Sequence, residues 1–224
     1  MRYAIPILLS LSTLADAAVV VDRVAIVVGK RVVKASDVEG DLRVSQFLNS
    51  QALDLSPAVR RKAAERLIDQ ELIRQELLNR DYTQPSDSDV SAYLEQLRRD
   101  RFSGSETQFR AALARYRLSE EQLRRHLRWQ LTVLHFIDRR FRPGVLVTDE
   151  DVSAYYQQHR AELQKAFPKD SSLDAVEPGI RETLTGERVN QFFDQWVEQK
   201  RKATRIEYRE AAFAGGAPPA GALK

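Results

Sequence analysis

Few side chains in this sequence are spaced for catalysis or metal binding. There are three histidines and no cysteine, which excludes thiolate zinc sites and cysteine nucleophiles. His126, His135 and His159 fall in predicted helices, His126 and His135 are out of phase for one helical face, and no acidic residue completes an H-E-x-x-H pattern. Nucleophile elbows, phosphate loops and dinucleotide fingerprints are absent from the sequence. We therefore expect no catalytic, cofactor-binding or metal-binding residues.

Two clusters of charged residues are explained by helix capping and by a solvated helix face rather than by catalysis or nucleic-acid binding. Asp149-Glu150-Asp151 stands at a predicted helix start, where carboxylates cap the backbone and complement the helix dipole. A basic run lies beside Trp129 and could suggest nucleic-acid binding. Its members are Arg115, Arg117, Arg124, Arg125, His126 and Arg128. With Glu120 and Glu121 as counterions and a formal net charge of only +3, the run favours a solvated helix face and no nucleic-acid partner.

The N-terminus has the three parts of a secretory signal peptide. Arg2 supplies the positive start, Ala4–Leu14 is an apolar run, and Ala15-Asp16-Ala17 has the small-x-small form of a cleavage site. We expect residues 1–17 to be removed by cleavage between Ala17 and Ala18, so that the protein is exported. No later stretch is apolar enough to span a bilayer, which predicts no transmembrane anchor.

A β-hairpin is predicted directly after this signal. Residues 19–37 read VVVDRVAIVVGKRVVKASD, and Gly29-Lys30 suits a type II′ turn between two strands rich in β-branched residues. An isolated hairpin is marginally stable in water, so a third strand is needed. Thr204–Arg209, in which Ile206 and Tyr208 alternate with charged residues, is the best candidate. The sequence leaves open whether this strand pairs within its own chain or, in a homodimer, by exchange between two copies.

Everything between the strands is predicted to be helix or short linker. Capping boxes beginning at Ser36, Ser105 and Ser119 mark helix starts. The predicted helices cover about 36–49, 57–80, 90–101, 105–116, 119–141, 148–163 and 177–202, with 173–176 as a link. In the fifth helix the inward positions are expected to be Leu123, Leu127, Leu131, Leu134 and Phe141. The fold class is therefore mostly α with a small antiparallel sheet, in one domain over 18–210 followed by a disordered tail over 211–224.

The order of these segments resembles the SurA family of periplasmic chaperones. The similarity begins with the hairpin of Val20–Val38, which follows the form VxDRVxxVVGxxVxxxSDV. It continues through residues 67–73 (LIDQELI), 118–131 (LSEEQLRRHLRWQL) and 148–152 (TDEDV) to the last helix and strand. In that family the terminal strand returns to the N-terminal part, here 18–141, after the C-terminal helices, here 148–210.

The resemblance implies an ATP-independent periplasmic chaperone that holds unfolded outer-membrane or exported polypeptides. It implies client contacts by aromatic residues near helix ends, although ordinary core packing is an alternative fate for each. The candidates are Phe102, Phe109, Tyr116, Tyr155 and Tyr156.

One departure from the family affects the expected activity. Family members usually carry parvulin-type prolyl isomerase domains near the counterparts of Phe141 and Thr148, where this chain has only residues 142–147. We expect no isomerase activity. Two other classes stay open: an envelope scaffold or assembly subunit that binds a folded partner, and a peptidyl-prolyl isomerase.

Overall fold

Seven α-helices connect an N-terminal hairpin to a C-terminal strand in the part of the chain that this computed structural model describes, residues 22–78, 82 and 84–210. The elements are β1 (Val24–Val28), β2 (Arg31–Lys34), α1 (Ala35–Leu48), α2 (Pro57–Leu78), α3 (Asp87–Phe102), α4 (Glu106–Arg115), α5 (Glu120–Phe141), a 3₁₀ turn (Arg142–Gly144), α6 (Asp149–Ala166), α7 (Leu173–Ala203) and β3 (Ile206–Tyr208). The predicted mostly-α fold with a small sheet is confirmed. The predicted signal peptide, its cleavage point and the predicted tail lie outside the described residues.

The sheet has the strand order β2-β1-β3, with antiparallel pairing throughout. Gly29 has a φ of +61°, which primed hairpin turns require at the first central position. Its N–H donates to the carbonyl of Arg205 at 2.8 Å, so the turn that closes the hairpin is also bonded to the returning chain. In β3, Ile206 pairs with Val28 of the same chain; exchange of this strand between two copies stays a prediction.

A polar cluster fastens the end of α7 to α2. The Arg201 guanidinium donates to Glu65 at 2.8 Å and to Asp69 at 2.5 Å. The Tyr208 hydroxyl donates to Glu65 at 2.6 Å, and burial together with this carboxylate raises the pKa of Tyr208. The cluster therefore holds both sides of the α7–β3 junction against one helix.

Helix starts follow the capping chemistry in most places. Ser105 and Ser119 accept hydrogen bonds from the backbone N–H groups of Gln108 and Gln122, as predicted. In α1 the predicted start at Ser36 is wrong by one residue: the helix begins at Ala35 because the side chain of Asp37 caps the Lys34 N–H at 2.9 Å, while the Ser36 hydroxyl donates to Asp22.

The predicted link over residues 173–176 is also wrong, because α7 already begins at Leu173. Val176 is 5% exposed and packs with Val152 of α6 and with Ile180. This apolar contact extends the helix by a turn beyond the predicted start, and Pro178 consequently lies inside α7 rather than in its first turn.

Four groups of buried side chains divide the interior. The sheet packs on α1 and α2 through a group that includes Ile26, Val38 and Ile68. A second group, called the aromatic core below, joins the end of α1 to α3, α4 and the start of α5 around Phe47 and Phe109. The remaining two lie along α7. Its second half packs on α2 and α5 through residues such as Ile73, Phe136 and Trp196, and its first half packs on α6 through Val152, Val176 and Ile180.

None of the helices within the described ranges has both the length and the apolar character needed to cross a bilayer.

Candidate functional site

Three of the five aromatic residues predicted to bind clients lie in the aromatic core. Phe109 is fully buried, and Phe102 and Tyr116 are half-buried. All three rings surround Phe47, with ring centroids 6.4, 6.2 and 5.6 Å away for Phe109, Phe102 and Tyr116. The Tyr116 hydroxyl donates to the backbone carbonyl of Gln51 at 2.6 Å. These contacts join the ends of α1 and α3 to α4 and to the turn that follows it.

Tyr155 and Tyr156 lie apart from this core, on α6. Tyr155 stacks on His159 with ring centroids 4.2 Å apart, and the Tyr156 hydroxyl donates to the carbonyl of Ser171 at 3.0 Å. Both rings pack against the group of apolar residues shared by α6 and α7. The five candidates therefore fall into two separate groups and do not line one groove.

A different cavity presents apolar surface. It has a volume of about 480 Å³ and lies among α1, α2, α3 and α5; we call it the central groove. Its apolar lining consists of Leu48, Ile73, Tyr93, Leu127, Trp129, Leu131, Val133 and Leu134. Leu134 is 59% exposed and Tyr93 is 45% exposed. Large apolar side chains that remain in solvent beside a concave surface are typical of a binding site.

Leu134 was predicted to point into the core, and this prediction is wrong. Leu127, Leu131 and Leu134 form one stripe at helical spacing on α5, and exposure increases along it from 0% at Leu127 to 59% at Leu134. Leu127 is covered in the aromatic core, which contains the end of α1. Helix α1 ends at Leu48, so it covers the part of the stripe around Leu127 and does not reach Leu134. Leu134 therefore lines the central groove.

The carboxylates in the groove wall are held in ion pairs. Asp41 is 8% exposed and accepts hydrogen bonds from Arg66 at 2.7 Å and from Gln70 at 3.3 Å. Asp69 is held by Arg201 at 2.5 Å. Burial lowers the pKa of His126 in the same wall, an effect that Asp41 opposes and Arg66 reinforces. The wall therefore presents almost no unpaired charge to an occupant.

A second, more polar cavity of about 570 Å³ adjoins the central groove; we call it the hairpin cleft. The two cavities share Asp41, Gln70, His126 and Trp129. The Arg74 guanidinium lies 4.3 Å from the centroid of the Trp129 ring, and Arg74 also contacts Glu71 at 3.4 Å. Trp129, which follows the basic run in the sequence, thus lines both cavities and lies between the apolar one and the polar one.

The basic run has the predicted counterions. Arg124 pairs with Glu120 at 2.9 Å and Arg125 pairs with Glu121. Arg128 adds an ion pair with Asp87 of α3. Three members of the run are therefore ion-paired on α5, whereas Arg115 is the last residue of α4 and His126 lies in the groove wall.

The three histidines are dispersed. His126 is in the groove wall, His135 lines a third cavity with Tyr82, and His159 lies on α6 beside Glu162 at 3.1 Å. Within the described residues, no three His, Cys, Asp or Glu side chains are grouped to hold a metal ion.

The central groove depends on where α1 stops and on how α2 and α5 pack, so sequence periodicity could not have located it. What it offers chemically is a short apolar surface bordered by neutral polar groups. It could bind an apolar segment of another molecule without covalent chemistry. Comparison with known protein families and with curated protein sequences found no match.

Proposed function

We propose that this protein is an ATP-independent periplasmic chaperone, a holdase that binds unfolded outer-membrane or exported polypeptides in the central groove. The observation that carries the proposal is the exposed apolar lining of that groove, above all Leu134 and Tyr93, on a helical body. Unfolded β-barrel polypeptides expose apolar residues in alternation with polar ones. A groove that covers such residues would slow their aggregation. The signal-like N-terminus and the resemblance to the SurA family support the periplasmic location.

The volume of the groove, about 480 Å³, lies within the range of pockets that hold one small ligand. A short stretch of unfolded chain could therefore place an apolar side chain in it. The envelope scaffold is the second candidate, distinguished by binding a folded partner and ignoring denatured clients.

We further propose that the protein lacks prolyl isomerase activity. The 3₁₀ turn of Arg142–Gly144 and residues 145–148 connect α5 directly to α6. This supports the absence of an inserted catalytic domain at the position where the chaperones that the sequence resembles carry one.

The proposal is tested by diluting a urea-denatured outer-membrane β-barrel protein into the purified chain and following light scattering. We expect suppression of aggregation at near-stoichiometric ratio. Leu134→Asp should reduce the protection, because it places a charge on the apolar lining. Leu146→Asp is the matched control, since Leu146 is 75% exposed and lies outside the groove.

Three outcomes would contradict parts of this proposal. No protection by the unmodified chain would reject the chaperone and move the scaffold to first place. Equal effects of the two aspartate variants would reject the groove as the client site. Accelerated isomerisation of a proline peptide by the same sample would reject the assignment as a non-isomerase.

A further inference from the structure

The central groove also carries neutral hydrogen-bonding groups at its border. Ser45 and Asn49 lie at the end of α1, and Gln130 lies on α5. Asn49 and Gln130 are exposed and Ser45 is half-buried, and none of their side chains is hydrogen-bonded to another of the described residues. The backbone N–H of Asn49 donates to the Ser45 carbonyl at 3.0 Å, which leaves its side-chain amide uninvolved. Two side-chain amides and a hydroxyl are thus available to an occupant.

The charges of the groove wall narrow the chemistry of that occupant. Among the described lining residues, Arg66 is already paired with Asp41, and Asp69 is paired with Arg201, so the wall is a poor match for a phosphate, a carboxylate or an ammonium group. The wall still offers the hydroxyl of Ser45 and the amides of Asn49 and Gln130, which both donate and accept hydrogen bonds. They are complementary to a neutral ligand that carries both N–H and C=O groups. The peptide backbone is such a ligand.

The apolar and polar groups are close enough to act on one segment. Gln130 and Leu134 are four residues apart on α5 and therefore neighbours on the helix surface. Leu48, in the last turn of α1, lines the groove directly before Asn49. Each side of the groove consequently combines one leucine with one amide.

We propose that the central groove binds an extended polypeptide through its backbone, with the amides of Asn49 and Gln130 bonding peptide groups while Leu134 and its apolar neighbours cover a side chain. This inference rests on the proposed chaperone function and specifies how a client would be recognised. Backbone bonds are the same for every sequence, so such a groove accepts any client with an apolar side chain at intervals.

The test compares two probes on the purified chain. One is a fluorescent, acetylated hexapeptide of alternating leucine and threonine; the other is the same peptide methylated on its central backbone nitrogens, which removes donors and keeps the side chains. Fluorescence anisotropy should show that the double variant Asn49→Ala with Gln130→Ala binds the unmethylated peptide about tenfold more weakly, as expected for two lost hydrogen bonds. For the methylated peptide, which keeps its carbonyl acceptors and lacks only the central N–H donors, the same variant should lose clearly less affinity.

The matched control is the double variant Asn190→Ala with Gln191→Ala, which removes two exposed amides on α7 outside the groove and should leave both affinities unchanged. Urea unfolding of each variant verifies that it is folded. Equal losses for both peptides, or no loss for either, would overturn backbone recognition.

Light scattering on the same samples separates this failure from that of the proposed function. If the parent chain suppresses aggregation but the amide variant loses no peptide affinity, the chaperone stands and the backbone contact falls. If the parent chain neither protects clients nor binds the peptides, both fall.

Discussion

The replacement Phe109→Ala distinguishes a core residue from a client-binding residue. The Phe109 ring is 0% exposed, with its centroid 5.6 Å from that of Phe102, and the Arg98 guanidinium lies 4.4 Å from it. Removing a fully buried phenylalanine ring costs about 3–5 kcal/mol of unfolding free energy, through lost burial and the cavity that remains. With a urea dependence of about 2 kcal/mol per molar, the unfolding midpoint should fall by about 2 M. Urea titration followed by circular dichroism measures this shift.

Leu134→Ala should affect client binding more than stability. The Leu134 side chain is 59% exposed, so its loss should lower the unfolding free energy by about 1 kcal/mol or less. Protection of a denatured client should nevertheless decline. The reasoning would be refuted by a Phe109→Ala protein whose unfolding free energy lies within about 1 kcal/mol of the parent's and which nevertheless loses client binding. The ring would then be a binding residue, as the resemblance implied.

Two further substitutions and one titration test the contacts that hold the fold. Arg201→Met removes the bonds to Glu65 and should lower the unfolding free energy by about 1–2 kcal/mol, with faster hydrogen exchange in β1 and β3; unchanged exchange would show that the cluster does not secure the sheet. Burial lowers the pKa of His126, so below about pH 6.5 the unfolded chain binds more protons than the native protein does. The unfolding free energy should therefore fall as the pH drops through the native pKa of His126. His126→Gln should flatten that dependence, which is measured as urea midpoints across pH. Hydrogen bonds from Arg188 and then from the α6 cap lower the pKa of Asp151 to about 2, so its contribution should be complete above about pH 4 and lost towards pH 2; a carboxyl titration by NMR with an ordinary midpoint would contradict this.

The sequence predicted the elements well where local chemistry decides them. Gly29 permits the tight hairpin turn, and hydroxyl caps such as Ser119 mark helix starts, except at Ser36, whose hydroxyl donates to Asp22 instead. The pairing of the terminal strand followed from the marginal stability of a lone hairpin. Helix α7 was mispredicted because the packing of Val176 on α6 overrides the local signal of Pro178.

The groove could not be predicted because it depends on packing between distant segments. Periodicity places Leu134 on the same stripe as Leu127, but whether a stripe is covered depends on the length of another helix. For the same reason, sequence could not assign Phe102, Phe109 and Tyr116 to a core or a groove. Asn49 and Gln130 carried no signal at all, since exposed amides are common on helical surfaces.

The pairing of Val28 with Ile206 has a consequence for the order of synthesis. The hairpin is among the first described segments to be made, and its outer strand edge has no partner until all seven helices have followed. Contacts between such distant residues form slowly, because a long loop must close before they contribute. Local helix pairs should therefore form early, and the pairing of β1 with β3 should form last. A chain that is still being synthesised or is passing through a channel lacks this pairing, and it can therefore unfold more easily than the finished protein.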